Sequence, residues 1–431
     1  MTAAGYDYDL FVIGGGSGGV RAARVAAGHG ARVAIAEEYR YGGTCVIRGC
    51  IPKKLFVYAA EVRHDLADAA GFGWSIGSAA FDWPTLVRNK DAEIDRLNRI
   101  YLSLLEAAGV RIFQARARLA GPHTVEVAGE AVTAGTVLLA TGAVPFIPPF
   151  PGAGLAVSSN EVFHLPSLPR SVAIAGGGYI AVEFAHIFNG LGVDTTLVHR
   201  RDLVLRGFDE DLRRHVTEAL AKQGVRLRTG VHIESIEARG ERRRLTFTDG
   251  DHLEVDLVMS GVGRVPNTRD LGLETAGVAV GERGDIIVDE LSRTTAETIY
   301  AVGDCTARPQ LTPIAIRDGH AFADTVFGNQ RRPIDPRLSP TAVFAPPPTA
   351  TLGLPAADAR AAGPVTIYEA HFRPLKHTLS GRDEKTYLKL VVATDTQRVL
   401  GAHMMGESAP EIMQVIAVTM QMGATKADFD A

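Results

Sequence analysis

The chain has 431 residues, 46% of them hydrophobic, and a formal net charge of −4, so it is long enough to bury more than one core, since single cores stop growing at roughly 250–300 residues. Without a long basic run or an acidic tail, nucleic-acid binding and a disordered activator are both excluded. The opening residues lack the basic and apolar regions of a signal peptide, no run of about 18 apolar residues could span a membrane, and the 3 cysteines are too few for a secreted disulfide scaffold, so a reducing, cytoplasmic setting is expected.

In chain order, the first predicted unit is a strand at Leu10–Ile13, the glycine turn Gly14-Gly15-Gly16-Ser17-Gly18-Gly19, a helix over Val20–Ala27 and a strand over Arg32–Ala36. Strand, glycine turn, helix and strand open a dinucleotide-binding unit. The glycines let the backbone approach a pyrophosphate, which rests on the amides and dipole of the helix N-terminus. Glu37 follows the second strand, where an acid hydrogen-bonds a ribose hydroxyl.

Next comes Gly42-Gly43-Thr44-Cys45-Val46-Ile47-Arg48-Gly49-Cys50-Ile51-Pro52-Lys53-Lys54. Residues five apart do not share a helical face, but one loose turn lets two such sulfurs close a strained, exposed disulfide, the reducible kind. An inert buried pair is the competing reading. A zinc site needs two more ligands at suitable spacing, and no second cysteine pair exists, so no metal is expected. Cys305 stands alone and reads as a small buried hydrophobe.

A short strand at Val137–Ala140 leads into Thr141-Gly142, and the Pro-rich run Val144–Pro151 reads as a linker. Then the first pattern repeats: strand Ser171–Ala175, turn Gly176-Gly177-Gly178-Tyr179-Ile180-Ala181, a helix to about Phe188 and a strand at Thr195–Val198. One glycine turn alone is weak evidence; two in full strand–turn–helix context are strong. After the second comes His199-Arg200-Arg201, then Arg206, where the first unit has an acid. Guanidinium groups there suit a 2′-phosphate, a solvated basic turn being the alternative. The remaining features are a strand at Leu257–Ser260, the loop Gly261–Asn267, the turn Gly303-Asp304 and a Pro-dense stretch from Arg332 to Pro348. Strand patterns at Val365–Tyr368 and Tyr387–Val392 precede a helix-like run from Ala409 to Met422.

Gly-Gly-Thr-Cys-x4-Cys-x-Pro-Lys resembles the active-site motif of the pyridine-nucleotide disulfide oxidoreductases, and the likeness runs from Tyr6 to the end. It implies an α/β fold: two Rossmann-like FAD- and NAD(P)-binding domains with a C-terminal α+β dimerisation domain. The implied boundaries are 1–142 for FAD, 143–266 for NADPH, 267–337 for a central domain completing the FAD site, and 338–431 for the interface of a homodimer. By the same resemblance Cys50 faces the flavin and Cys45 attacks the substrate. Lys53 lies beside the flavin and pairs with Glu183, and Tyr179 is an aromatic gate. The implied FAD contacts are Gly14, Gly16, Ser17, Gly18, Glu37, Thr44, Cys45, Lys53, Ala117, Thr141, Gly142, Asp304 and Thr312. Those implied for NADPH are Gly176, Gly178, Tyr179, Ile180, Glu183, Arg200, Arg206, Gly263 and Arg264.

Within that family, Cys-Val-Ile-Arg-Gly-Cys-Ile-Pro-Lys-Lys is similar to the plant and cyanobacterial glutathione reductases. Arg21 and Arg24, three apart, share a helix face and suit an anionic substrate, a solvated face being the alternative. The likeness places Ser17, Arg24, Tyr101 and His320 against glutathione disulfide. Two positions depart from animal and enteric members: Glu93 replaces a second tyrosine, and His320 an arginine. The closing run Met422–Ala431 leads, in those enzymes, into a His-Pro-Thr segment that supplies the acid–base histidine, so truncation is expected here. The activity this implies is NADPH-dependent glutathione-disulfide reduction through FAD and Cys45–Cys50. Its rivals are a thioredoxin-reductase-like enzyme for another disulfide and an FAD/NADPH-binding protein without disulfide turnover.

Overall fold

A computed structural model describes residues 5–335 and 338–431. Pro336 and Arg337, where the expected central domain gives way to the interface domain, lie outside the described residues. The chain forms two compact units, each gathered from three stretches. Unit 1 comprises residues 1–52, 89–145 and 264–336; unit 2 comprises 53–88, 146–263 and 337–431.

Unit 1 is built on parallel strands. β1 (Tyr8–Ile13) pairs with β2 (Val33–Ala36) on one side and with the strand Glu130–Leu139 on the other. Arg111–Phe113 extends the sheet beyond β2, and Ile299–Ala301 adds to Glu130–Leu139. Both faces are covered: Leu10, Val12 and Ile35 enter one apolar cluster while Phe11, Ile13 and Ala34 enter another. That is why β1 and β2 read as unbroken apolar runs instead of alternating ones. Helix α1 (Ser17–Gly28) begins three residues earlier than the apolar pattern suggests. Ser17, Gly18 and Gly19 already form its first turn, tightly enough that a Cβ on Gly19 would lie 2.0 Å from Gly14 O. The expected linker is partly a strand, because Ala143–Pro145 pairs antiparallel with Arg264–Pro266.

Among the described residues, unit 2 holds three sheets. A parallel one runs in the order Arg226–Thr229, Asp194–His199, Ser171–Ala175, Leu257–Ser260. A three-stranded antiparallel sheet spans Ile233–Arg239, Arg242–Phe247 and His252–Val255. The C-terminal stretch forms a five-stranded antiparallel sheet in which Val365–Phe372, Thr386–Ala393 and Val399–Met405 are successive neighbours. The helix Ala409–Gln421 packs on this sheet through Ala409, Met413 and Met420. Among the described residues no helix is long and apolar enough to cross a membrane.

Candidate active site

The thiol pair sits where one helix ends and another begins. α2 (Gly43–Arg48) carries Cys45, and α3 (Cys50–Asp68) opens with Cys50. Between them Gly49, at φ −148° and ψ −117°, breaks the helical path. A side chain there would collide with α2 itself: a Cβ would lie 2.6 Å from Thr44 O and 3.2 Å from Cys45 Cα. The break brings two sulfurs five residues apart into hydrogen-bond contact. Thr312 completes the group, its Oγ1 3.5 Å from Cys50 Sγ. The hydrogen bond to Cys50 and then burial push the Cys45 thiol well above its ordinary range, so one proton is held within the pair. Cys305, fully buried, has the carbonyls of Leu139 and Val302 beside its sulfur, with Thr141 and Gly142 also within hydrogen-bond reach, and burial pushes it up to about 11.

Beside the thiols lies a cavity lined by Gly14, Gly16, Glu37, Thr44, Ala117, Thr141 and Gly142. Its glycines are spatially required. A Cβ on Gly14, at φ +114°, would meet Ala140 O at 2.3 Å, and one on Gly15 would meet the Tyr41 ring at 2.6 Å. Tyr41 is wholly buried there and donates to Phe113 O at 2.7 Å. Glu37 turns back on the turn, Oε2 accepting from Gly15 N at 2.8 Å. Among the described residues no side chain caps the start of α1, so its first amides are left to a ligand. Glycine cradle, uncapped helix and acid fit the pyrophosphate and ribose of FAD. Asp304, half-buried, is pushed up by burial and held back by Arg264. Arg264, expected on the NADPH side, belongs to unit 1 here and donates to Thr44 Oγ1 at 3.1 Å and to Ala143 O.

In the second nucleotide fold the backbone follows the same logic with different chemistry. Gly176 N donates to Val198 O as Gly14 N donates to Ala36 O, so His199 takes the place that Glu37 takes in unit 1. A Cβ on Gly177 would strike the His199 ring at 2.5 Å, and burial lowers the histidine's pKa, favouring the neutral ring. The loop beyond folds back, Leu205 N donating to Gly177 O at 2.6 Å. Arg200 and Arg206 are left exposed on it. Tyr179 and Ile180 open the helix Tyr179–Gly190, which no side chain among the described residues caps. A neutral ring, two exposed guanidinium groups and an uncapped helix fit a 2′-phosphorylated nucleotide. Gly263, at φ +138°, accepts from Phe146 N at its carbonyl. The same helix carries Glu183, whose Oε1 lies 2.6 Å from Lys53 Nζ, the two residues 3% and 8% exposed.

The expected substrate residues divide. Tyr101, partly buried, lies near Cys45, Arg21 and Arg24; its phenol is pushed up mainly by burial, with the two arginines opposing. Ser17 forms the first turn of α1, and Arg24 follows on the same helix. His320 is drawn elsewhere: its Nε2 lies 3.5 Å from Asp324 Oδ2, a carboxylate that also meets His29 at 2.8 Å and Arg332 at 3.0 Å. Glu93 is held by Arg96 through two bonds of 2.7 and 2.8 Å, which lower its carboxyl.

A reducible thiol pair on one nucleotide-binding unit, with a second nucleotide fold whose ribose end is basic, defines a two-nucleotide disulfide oxidoreductase. Sequence profiles agree: that of the pyridine nucleotide-disulphide oxidoreductases matches residues 8–319, and that of their dimerisation domain residues 339–431. The chain belongs to the pyridine nucleotide-disulphide oxidoreductase family. It is 55% identical to the glutathione reductase of Burkholderia cepacia over 99% of this chain and 95% of that one. Against the glutathione reductase of Nostoc sp. the identity is 46%, over 99% and 96%. The trypanothione reductase of Trypanosoma congolense is 37% identical over 98% and 92%.

Proposed function

We propose that this chain is a cytoplasmic, homodimeric, NADPH-dependent glutathione-disulfide reductase that uses FAD and the Cys45–Cys50 pair. The observation that carries this is the thiol pair at the helix break, in a chain 55% identical over nearly its whole length to a glutathione reductase. Gly14, Gly16, Ser17, Gly18, Glu37, Thr44, Ala117, Thr141, Gly142, Asp304 and Thr312 hold FAD, with Arg264 at the edge of that site. Gly176, Gly178, Tyr179, Ile180, Gly263, Arg200 and Arg206 hold NADPH, and Lys53 with Glu183 answers the arriving charge. FAD, when bound, supplies the transfer of an electron pair from NADPH to the disulfide.

The thiols do the rest. Cys45, on giving up the proton it shares with Cys50, attacks one sulfur of glutathione disulfide; the S–S bond breaks, and the departing glutathione thiolate takes up that proton. Cys50 then displaces the second glutathione from the mixed disulfide, restoring the Cys45–Cys50 bond. Arg21, Arg24 and Tyr101 beside Cys45 receive the anionic substrate.

Stopped-flow absorbance tests this. NADPH should bleach the flavin, and glutathione disulfide should restore it. Cys45→Ser should keep the first phase and lose turnover by on the order of 10⁴-fold or more. Arg200→Gln with Arg206→Gln should raise KM for NADPH by about 10–100-fold and leave that for NADH unchanged. Flavin that is reduced by NADPH but never reoxidised by glutathione disulfide would refute the assignment.

A further inference from the structure

Phe344 follows the short strand Thr341–Val343 in unit 2. Its backbone N–H donates to Glu183 Oε1 at 2.9 Å, the same oxygen that Lys53 Nζ reaches at 2.6 Å. Its ring meets the other half of the pair, with Lys53 Nζ 4.4 Å from the ring centroid. Lys54 Nζ lies 3.8 Å from the same centroid. One residue, 161 positions along the chain from Glu183, thus touches both members of a buried ion pair in two chemically different ways.

Each contact has its own consequence. A buried carboxylate needs donors beyond a single ammonium, because desolvation costs it more than one ion pair returns. The main-chain N–H is a donor that no pH change can remove. An ammonium within ~6 Å of an aromatic centroid is stabilised in its charged form by the ring's quadrupole, more so when water is excluded. Lys54, which brings a second positive charge to the ring, is offset by Glu61, whose carboxyl burial raises and Lys54 draws back down. We infer that Phe344 is the positioning residue of the Lys53–Glu183 pair, its main chain fixing the carboxylate and its ring holding the ammonium. This rests on the reading above, in which that pair answers the charge arriving with NADPH.

The test compares Phe344→Leu, which keeps the N–H and the apolar bulk but removes the ring, with Phe344→Tyr, which restores it. In purified, FAD-containing enzyme without NADPH, acetylation of Lys53 by trace acetic anhydride is quantified by peptide mass spectrometry. The Leu variant should be acetylated at Lys53 roughly three- to thirtyfold faster than wild type, and the Tyr variant at the wild-type rate. Flavin reduction by saturating NADPH should slow by a similar factor in the Leu variant alone, with KM for NADPH unmoved. Should Phe344→Leu not fold, Phe344→Met removes the ring with a more adaptable side chain. Wild-type labelling and reduction rates in a folded Leu or Met variant would overturn the inference. So would a folded Tyr variant that fails to restore them. If wild-type flavin is not reduced by NADPH, the functional reading fails, while the labelling still decides for or against Phe344.

Discussion

At Gly49 φ is −148°, not left-handed, so it is the space around the residue that demands glycine. A Cβ 2.6 Å from Thr44 O is too close to a main-chain atom to be relieved by a rotamer change. Gly49→Ala should therefore part α2 from the start of α3 and move the two sulfurs. Destabilisation of about 1–3 kcal/mol is expected from overpacking. Disulfide formation between Cys45 and Cys50, followed by thiol titration during air oxidation, should slow. Wild-type stability and oxidation rate in the Gly49→Ala protein would show that the helix break does not depend on this contact. Cys305 makes the opposite case, since full burial, which raises its thiol, keeps it protonated and out of exchange.

Among the elements of unit 2, one carboxylate joins a helix to a sheet. Asp209 caps the helix Glu210–Lys222, accepting from Asp211 N at 3.2 Å, and its Oδ2 accepts from Ala356 N at 2.9 Å. Lys389, on the strand Thr386–Ala393, reaches the two Asp209 oxygens at 2.8 and 3.0 Å and Asp211 Oδ2 at 2.6 Å. Burial pulls the Asp209 carboxyl upward, but the hydrogen bond from Lys389, with the other contacts, more than offsets it and leaves the group below the usual range. Removing the ammonium strands a charge that is 1% exposed. Lys389→Met should cost about 3–5 kcal/mol by denaturant unfolding, and adding Asp209→Asn should recover part of it. Equal stability of Lys389→Met and wild type would place this pair among those that contribute nothing.

For the molecule as a whole, stability should fall on the acid side because of buried neutral histidines. His186 is wholly buried, its Nδ1 3.3 Å from Gln223 Oε1, and burial lowers its pKa to about 3. Burial lowers His64, His199, His215 and His403 as well. The folded value of His186 lies below the unfolded one, so the folded chain refuses a proton that the unfolded chain takes up. Stability is unaffected above about pH 6.5 and declines as pH falls from there toward 3, by up to about 1.4 kcal/mol per unit. Between pH 7.5 and 5, His186→Gln should lose about 2 kcal/mol less than wild type, read as a smaller drop in Tm. Parallel Tm–pH curves for the two proteins would contradict this.

Both nucleotide folds, the thiol pair and the family were legible in the sequence, because each is written in consecutive residues whose spacing carries the physics. Strand, glycine turn and helix must follow one another to make a pyrophosphate cradle. Cys45 and Cys50 must be close along the chain for one loose turn to join them. Glu37 and His199 could be contrasted because both follow the second strand of their unit; the equivalence of Gly14 N→Ala36 O and Gly176 N→Val198 O makes that contrast structural. What the chain order does not encode is which distant segments meet. Nothing around Phe344 announces that its amide and ring serve Glu183 and Lys53. Arg264 sits in a loop read as facing the second nucleotide, yet its bonds run to Thr44 and Ala143. The interleaving of three chain stretches in each unit is equally invisible to local pattern. Short-range geometry is set by bonded neighbours and so belongs to the sequence alone. Pairings across more than a hundred residues are chosen by the burial of whole surfaces, and only the folded chain decides them.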